Sequence, residues 1–243
     1  MAWISECVLR PLPPCAAAAN VLLLEDTLAA SGLPFLLGLL KDLVDAGERV
    51  CLVASARPAA DFARLTRKLG LVFDRAVDDG RLVIVEEQTF GPPMAMPGAP
   101  PALGRPIDAA FRFADGAQVL NDILAATGAS AVIFDDAAGM ADAYGADATL
   151  ALFRYTRARC QTVVVAGIHS DAQERGSAAA DVLTALRYDA TAHLMVDGLS
   201  SGRSVDVDGV VRLAHRAWPA RRVEHFRVTD AGLVMFHPTA TVT

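Results

Sequence analysis

The stretch NVLLLEDTLAASGLPFLLGLL, residues 20–40, constrains the fold of this chain most strongly. Its apolar run over residues 21–24 is typical of a strand buried on both faces of a parallel sheet. A short polar turn follows, and then Phe35 and several leucines recur at helical spacing. Pro34 stands at the start of that helix, where a proline removes no helical hydrogen bond. We therefore predict a strand, a turn and a helix at the beginning of an α/β domain.

This arrangement is also where a nucleotide-binding protein places its phosphate-binding loop. That loop, the P-loop or Walker A motif, needs glycine, four residues, glycine, lysine, and then serine or threonine. Laid on this turn, the frame gives Thr27, residues 28–31, Gly32, Leu33 and Pro34. The second glycine alone matches, because Leu33 carries no charge for a phosphate and Pro34 has neither a hydroxyl for Mg²⁺ nor an N–H. The Walker A motif is therefore degenerate in this sequence.

Two acidic residues, Glu25 and Asp26, precede the turn and place negative charge where a phosphate would have to bind. Two interpretations remain open. Either the chain has a P-loop fold that has lost nucleotide binding, or it has an α/β fold that never bound nucleotide. Both interpretations predict that the chain binds no cofactor at this turn.

The composition indicates one sizeable domain, because 53% of the 243 residues are hydrophobic and 21% are charged. The formal net charge of −6 excludes a basic surface over the whole molecule, so any contact with nucleic acid must be local. No apolar run reaches the roughly 18 residues that a membrane span requires, so we expect no membrane contact.

The four cysteines, Cys7, Cys15, Cys51 and Cys160, form no CxxC pair and show no metal-ligand spacing. They predict a reduced intracellular chain without a metal site. The N-terminus lacks the order of a signal peptide, so we expect the chain in the cytosol or the nucleus. No GxSxG motif and no cysteine with an oriented histidine is present, and no catalytic residue is predicted.

Five apolar runs alternate with helical patterns and predict the strands of a mainly parallel sheet flanked by helices. The runs are residues 21–24, 49–55, 81–86, 131–136 and 162–168, and the helices are expected over residues 34–46, 59–69 and 149–159, with another ending near Ala126. A single domain is expected over residues 20–238, after an N-terminal segment of residues 1–19 and before a C-terminal tail of residues 239–243. A long loop rich in proline and glycine interrupts the domain at residues 89–107.

Asp135 and Asp136 end the fourth predicted strand. In a P-loop protein an acid here (Walker B) holds the water shell of Mg²⁺, and the alternative role is to cap the following helix, which is common for aspartate. The helix after it has a basic face made of Arg154, Arg157 and Arg159. The polar segment of residues 169–177 follows the fifth strand.

The pattern changes from His193 onward, where a short apolar run at residues 193–196 and the runs after it predict an antiparallel extension of the sheet. Asp208 and Gly209 predict a hairpin between residues 203–207 and 210–215, and two more strands are expected at residues 222–228 and 232–236. Arginines concentrate in this tail: Arg203, Arg212, Arg216, Arg221, Arg222 and Arg227. Solvated strand faces explain most such charge, and a binding patch is the alternative.

A parallel core followed by an antiparallel extension is the order of RecA-like domains. Within that order, several segments resemble subunit six of the Elongator complex. They are VCLVASARPAADFARLTRKLGL (50–71), DDGRLVIVEE (78–87), AVIFDDAAGM (131–140), LFRYTRARC (152–160) and HLMVDGLSSGRSVDVDGVVRL (193–213). The resemblance runs with gaps from about residue 20 to residue 238. The long loop of residues 89–107 does not match.

The resemblance implies a RecA-like P-loop NTPase fold and a place in a hetero-hexameric ring with Elongator subunits four and five. In the family the ring attaches to the larger Elongator subunits and binds tRNA, and the whole complex modifies the wobble uridine of tRNA anticodons. The ring has ATPase activity in the family, but the degenerate P-loop implies that this chain is a non-catalytic subunit without a cofactor of its own.

RecA-like rings direct the loops after the fourth and fifth strands toward the pore. Here these are residues 135–144 and 169–177, and Arg175 is the basic residue in the second loop. We predict that Arg175 contributes to tRNA binding, and a solvated surface arginine is the alternative. Arg154, Arg157 and Arg159 are candidates for an arginine finger by their position alone.

Two other functions are compatible with the sequence. One is an NTPase that binds nucleotide by non-standard contacts, with Asp135 or Asp136 on Mg²⁺. The other is a degenerate RecA-like accessory protein of DNA recombination.

Overall fold

The computed structural model describes residues 20–86, 113–202, 204–218, 221–229 and 232–236, with the side chains of residues 113–119 left out. The N-terminal segment 1–19, the long loop 89–107 and the C-terminal tail 239–243 lie outside the described residues. The boundaries that the sequence predicts for these three segments therefore stay predictions.

The described strands form one sheet of nine strands in the order β3-β2-β4-β5-β1-β6-β7-β8-β9. Every pairing from β3 to β6 is parallel and every pairing from β6 to β9 is antiparallel. The strands are β1 (Asn20–Asp26), β2 (Val50–Ala54), β3 (Leu82–Glu86), β4 (Ala131–Phe134), β5 (Thr162–His169), β6 (Ala192–Asp197), β7 (Gly209–His215), β8 (Arg222–Thr229) and β9 (Gly232–Phe236). This confirms the predicted mainly parallel sheet with a C-terminal antiparallel extension.

Helices cover both faces of the sheet. They are α1 (Leu33–Asp45), α2 (Ala59–Lys68), α3 (Phe73–Asp78), α4 (Phe113–Thr127), α5 (Ala137–Tyr144), α6 (Ala146–Arg157) and α7 (Ala178–Asp189). Alternate residues of β1 serve the two layers. Leu22 and Leu24 pack in a core with α1 to α3, whereas Val21 and Leu23 pack in a second core with α4 to α7. Because side chains alternate along a strand, one continuous apolar run builds both cores.

Helices account for most differences between the sequence prediction and the structure. The helix expected over residues 149–159 begins earlier, at Ala146, and a separate helix, α5, precedes it across Gly145. Helices α3 and α7 were not expected from the sequence. No helix in the described part of the chain is long and apolar enough to cross a membrane.

The predicted hairpin at Asp208 and Gly209 is wrong. Residues 204–207 form no strand, and β7 begins at Gly209 and pairs with β6 instead. Asp208 is anchored to β8, because its N–H donates to the Phe226 carbonyl at 2.9 Å and its carboxylate accepts from the Val228 N–H at 2.5 Å. A Cβ on Gly209 would lie 2.7 Å from the Phe226 ring. The glycine therefore permits close packing and does not form a hairpin turn.

Candidate functional site

A cavity of about 280 Å³ lies at the carboxyl edge of the parallel strands. Its ionisable lining residues come from β1, β5 and the segments that follow β2 and β4: Asp26, Arg57, Asp135, Asp136 and His169. Parallel sheets bind ligands at this edge, because the strand ends and helix beginnings meet there. The cavity is therefore the candidate functional site of the chain.

A carboxylate from the end of β1 binds the turn between β1 and α1. Oδ2 of Asp26 accepts a hydrogen bond from the backbone N–H of Gly32 at 2.7 Å. Oδ1 of the same side chain lies 2.6 Å from Nδ1 of His169, at the end of β5. The free N–H groups at the beginning of a helix are the groups that bind a phosphate in a P-loop. Here the N–H of Gly32 already has an anionic partner from within the chain.

Other groups of this turn are also held by side chains of the same chain. Carboxylate Oδ1 of Asp171 accepts from the N–H of Leu28 at 2.9 Å, and the Ser31 hydroxyl accepts from the N–H of Leu33 at 3.2 Å. The Thr27 hydroxyl donates to Asp197, 3.4 Å away. The sequence placed Thr27, Gly32, Leu33 and Pro34 at the degenerate phosphate-binding position. The structure shows that the turn there is held by acceptors from the same chain, two near in sequence (Asp26 and Ser31) and two distant (Asp171 and Asp197).

Burial raises the pKa of the Asp26 carboxyl, and the N–H of Gly32 and the neighbouring His169 oppose that rise. Burial likewise raises the pKa of Asp136, again against a backbone N–H and His169. The two carboxyls and the imidazole therefore interact electrostatically with one another in the lining of the cavity. An incoming phosphate would meet acidic side chains there, which disfavours its binding.

Asp136 is the N-cap of α5, because its Oδ1 accepts from the N–H of Gly139 at 2.8 Å. The capping interpretation is confirmed for this residue. Asp135 does not cap a helix. Its Oδ1 accepts from the N–H of Ser55 at 2.6 Å and lies 3.3 Å from the N–H of Ala56. It therefore fixes the segment after β2. Burial raises the pKa of Asp135 to about 6, with a smaller contribution from the neighbouring Asp136 charge.

Gly167 lets β5 pass close to the end of β4. A Cβ at this position would lie 2.3 Å from the carbonyl oxygen of Asp135 and 2.5 Å from the Cα of Asp136. Its φ of +73° also lies in the left-handed region that favours glycine. Gly167 was not identified from the sequence, although a glycine inside the valine-rich β5 run is a signal of close backbone approach.

Glu25 is the second acidic residue of β1, and it points to the opposite face of the sheet from Asp26. Its buried carboxylate binds the guanidinium of Arg187 on α7, and its Oε2 lies 2.8 Å from Nε2 of His193 on β6. Burial alone would raise the pKa of Glu25, but these two partners outweigh it and lower the pKa to about 2. Glu25 therefore joins β1, β6 and α7 and does not line the cavity.

The predicted basic residues lie at two opposite edges of the sheet. Arg175 is exposed in the loop after β5, on the same edge as the cavity. Arg154, Arg157 and Arg159 lie near the end of α6, just before β5 begins, and so on the amino edge. Among the residues that the structure describes, no group of three His, Cys, Asp or Glu side chains is placed to hold a metal ion.

The strand order, the two helical layers and the site at the carboxyl edge define a RecA-like fold. No model of a protein family and no curated protein matches the chain. Among solved structures, the chain is similar to a KaiC-like protein from the hyperthermophilic archaeon Pyrococcus horikoshii. The TM-score is 0.61, the sequence identity is 13%, and the match covers 89% of each chain. This similarity shows the fold.

Proposed function

We propose that this chain is a non-catalytic, RecA-like ring subunit that acts as subunit six of an Elongator complex. In this role it forms the ring together with subunits four and five. Through the ring it attaches to the larger Elongator subunits and supports modification of the tRNA wobble uridine. The observation that carries the non-catalytic part is the hydrogen bond from the Gly32 N–H to the Asp26 carboxylate. It occupies the donor that a nucleotide phosphate would need.

The charge balance of the cavity supports this proposal. A phosphate at Gly32 would have to displace the Asp26 carboxylate and would then lie near Asp135 and Asp136. Arg57 is the arginine of the cavity lining, which also contains the three carboxylates of Asp26, Asp135 and Asp136. Like charges in a partly buried site repel strongly, since solvent screening is weak there. The lack of a lysine after Gly32 removes the charge that would normally balance the phosphates.

The Elongator part of the proposal is supported by the resemblance of the sequence segments together with the RecA-like fold. The resembling segments fall on β2 with α2, on β3, on β4, on α6 and on β6 with β7, in the same order along the chain. A ring subunit does not need its own nucleotide if its neighbours bind one. The chain then contributes shape and interfaces to the ring.

The test is co-expression with Elongator subunits four and five from the same source, followed by native mass measurement of the purified complex. The proposal expects a hexamer with two copies of each subunit. A chain that stays alone in the presence of both partners would overturn the Elongator assignment. Capture of a recombinase from cells in place of the two ring subunits would instead indicate the recombination accessory function.

The alternative of a non-standard NTPase fits the contacts less well. It needs Asp135 or Asp136 free to hold the water shell of Mg²⁺. Instead, Asp135 accepts from the Ser55 N–H and Asp136 accepts from the Gly139 N–H. A nucleotide-bound state would have to break or share these bonds, as well as the bond from Gly32 to Asp26.

A further inference from the structure

A cluster of arginines and aromatic rings lies at the amino edge of the sheet, opposite the candidate functional site. The ends of α6 and α7 and the turn between β7 and β8 contribute to it. We call it the arginine–aromatic face, and its members are Arg154, Tyr155, Arg157, Arg159, Tyr188, Arg216, Trp218, Arg221 and Arg222. These residues span almost 70 positions in the sequence, and the fold brings them to one edge of the sheet.

Direct contacts join the three segments into one surface. Nη2 of Arg154 on α6 lies 3.3 Å from the Asp189 carboxylate at the end of α7. The Arg216 guanidinium donates to the carbonyl of Tyr188, and the Arg216 N–H donates to the carbonyl of Thr191 at 3.0 Å. The end of α7 therefore lies between the end of α6 and the β7–β8 turn.

The aromatic rings of the face are presented beside guanidinium groups. The Arg159 guanidinium lies 3.5 Å from the centroid of the Tyr155 ring, and that of Arg222 lies 4.5 Å from the Trp218 ring. The Tyr188 residue is 81% exposed. Flat rings and stacked guanidinium planes are the groups on which unpaired nucleic-acid bases stack.

The face is basic although the whole chain has a net charge of −6. Six arginines belong to it, and the acidic Asp189 within it is already paired with Arg154. Arg216, Arg221 and Arg222 are exposed on the turn side, and Arg154 and Arg159 on the α6 side. Such a local concentration of cations attracts a phosphate backbone and gives a binding strength that depends on salt.

We propose that the arginine–aromatic face binds a single-stranded segment of nucleic acid. Its arginines contact the phosphates, and Tyr188 and the Trp218–Arg222 pair stack on unpaired bases. A duplex would leave these rings without partners, because its bases are already stacked on one another. The proposal goes beyond the ring function, since this face lies on the edge of the sheet opposite Arg175 and the loops directed toward a pore. It does not require assembly of the ring.

The test is fluorescence anisotropy of a labelled oligouridylate of about 20 nucleotides, titrated with the full chain at several salt concentrations. Tyr188→Ala should weaken binding by about tenfold, which is the loss expected for one stacked base. Arg221→Gln should weaken binding and lower the slope of log affinity against log salt by about 0.7. Arg222→Gln tests the same face independently. Circular dichroism confirms the fold of each variant.

Arg64→Gln on α2 is the matched control, since it removes one exposed arginine from a different surface. This control variant should leave binding by the isolated chain unchanged. Equal weakening by all the arginine variants, unchanged binding by Tyr188→Ala, or equal affinity for a duplex of the same length would overturn the proposal.

A comparison with an oligodeoxyuridylate of the same length distinguishes RNA from DNA as the single strand that binds. Tighter binding of RNA would identify a contact to the 2′-hydroxyl, and equal binding would identify phosphates and bases as the groups that are recognised. Both results support the proposal. Absence of binding to either strand at low salt would overturn it and would leave an acidic protein surface as the partner of this face.

Discussion

The Asp26 carboxylate accepts a hydrogen bond from the N–H of Gly32, 2.7 Å away and six residues later in the chain. This contact provides an acceptor for the backbone N–H of Gly32, the N-cap residue of α1, from the last residue of β1. In a P-loop the corresponding donors are left for a phosphate. The two arrangements exclude one another, because a single N–H cannot serve both anions at full strength.

Glu25→Gln should strongly destabilise the fold. The carboxylate is fully buried and binds Arg187 and His193. The amide of glutamine removes the negative charge opposite Arg187 and replaces one of the two acceptor oxygens by an NH2 donor. We expect the free energy of unfolding to fall by about 3–5 kcal/mol, measured by urea denaturation at pH 7. Asp61→Asn is the control, because its pair with Arg64 is exposed and should contribute less than about 1 kcal/mol.

The pH dependence of the Glu25 contribution has a definite sign. Its pKa in the folded chain is about 2, below the ordinary value of 4.5. The stabilisation is therefore fully present above pH 4.5 and is lost as the pH falls toward 2. The difference in stability between the unmodified chain and Glu25→Gln should shrink over that range. A difference that stays constant down to pH 3 would contradict the assigned pairing.

Asp135 should show the opposite pH dependence. Its folded pKa of about 6 lies above the ordinary 3.8, so the folded chain binds the proton more tightly than the unfolded chain. Its contribution to stability falls as the pH rises from about 4 to 6, by up to about 3 kcal/mol for a shift of roughly two pKa units. Asp135→Asn should remove this slope in urea denaturation between pH 4 and 7. If the slope persists unchanged, another group is responsible.

Gly167→Ala should lower the free energy of unfolding far more than the same substitution at another glycine with a positive φ. The new Cβ would overlap the backbone of Asp135 and Asp136. The alanine residue would also have to adopt a positive φ, which is unfavourable for any residue other than glycine. We expect a loss of more than about 2 kcal/mol in thermal or urea unfolding. Gly80→Ala is the control, since φ there is +69° but no atom lies within 4 Å of the added Cβ. Equal losses would show that the close approach at Gly167 does not matter.

Arg175→Glu should weaken tRNA binding by the assembled ring, because Arg175 is exposed in the loop after β5 and the proposed ring directs that loop toward its pore. The salt slope of tRNA binding should also decrease, as expected when phosphate contacts are lost. Arg64→Glu gives the same charge change on α2 and serves as the control. Unchanged affinity and salt slope for Arg175→Glu would remove this residue from the tRNA contact.

The parallel core could be predicted from the sequence because each of its strands is a run of apolar residues with a recognisable end. Most boundaries agree within two residues, as for the strand predicted at 81–86 and found at Leu82–Glu86. The antiparallel extension was harder. Its pairing depends on contacts such as Asp208 with Val228, which a local turn signal at Asp208 and Gly209 does not contain.

The candidate site could be predicted only in part. The sequence shows that a lysine is missing after Gly32, but not that the Asp26 carboxylate accepts from the Gly32 N–H, since this contact depends on the geometry of the turn. The Glu25 cluster was missed because Arg187 and His193 follow more than 160 residues later. A signal was present: two consecutive acids in a strand that is covered on both faces must point to opposite sides, so each of them had to be buried against a partner.

Calorimetric titration of the purified chain with ATP and Mg²⁺ tests directly whether the chain binds a nucleotide. The Asp26–Gly32 contact and the acidic cavity predict no saturable binding at millimolar nucleotide. Saturable binding of one nucleotide per chain, weakened by Asp136→Ala, would contradict the account. It would show that this turn opens to accept a phosphate and that the chain has a nucleotide site of its own.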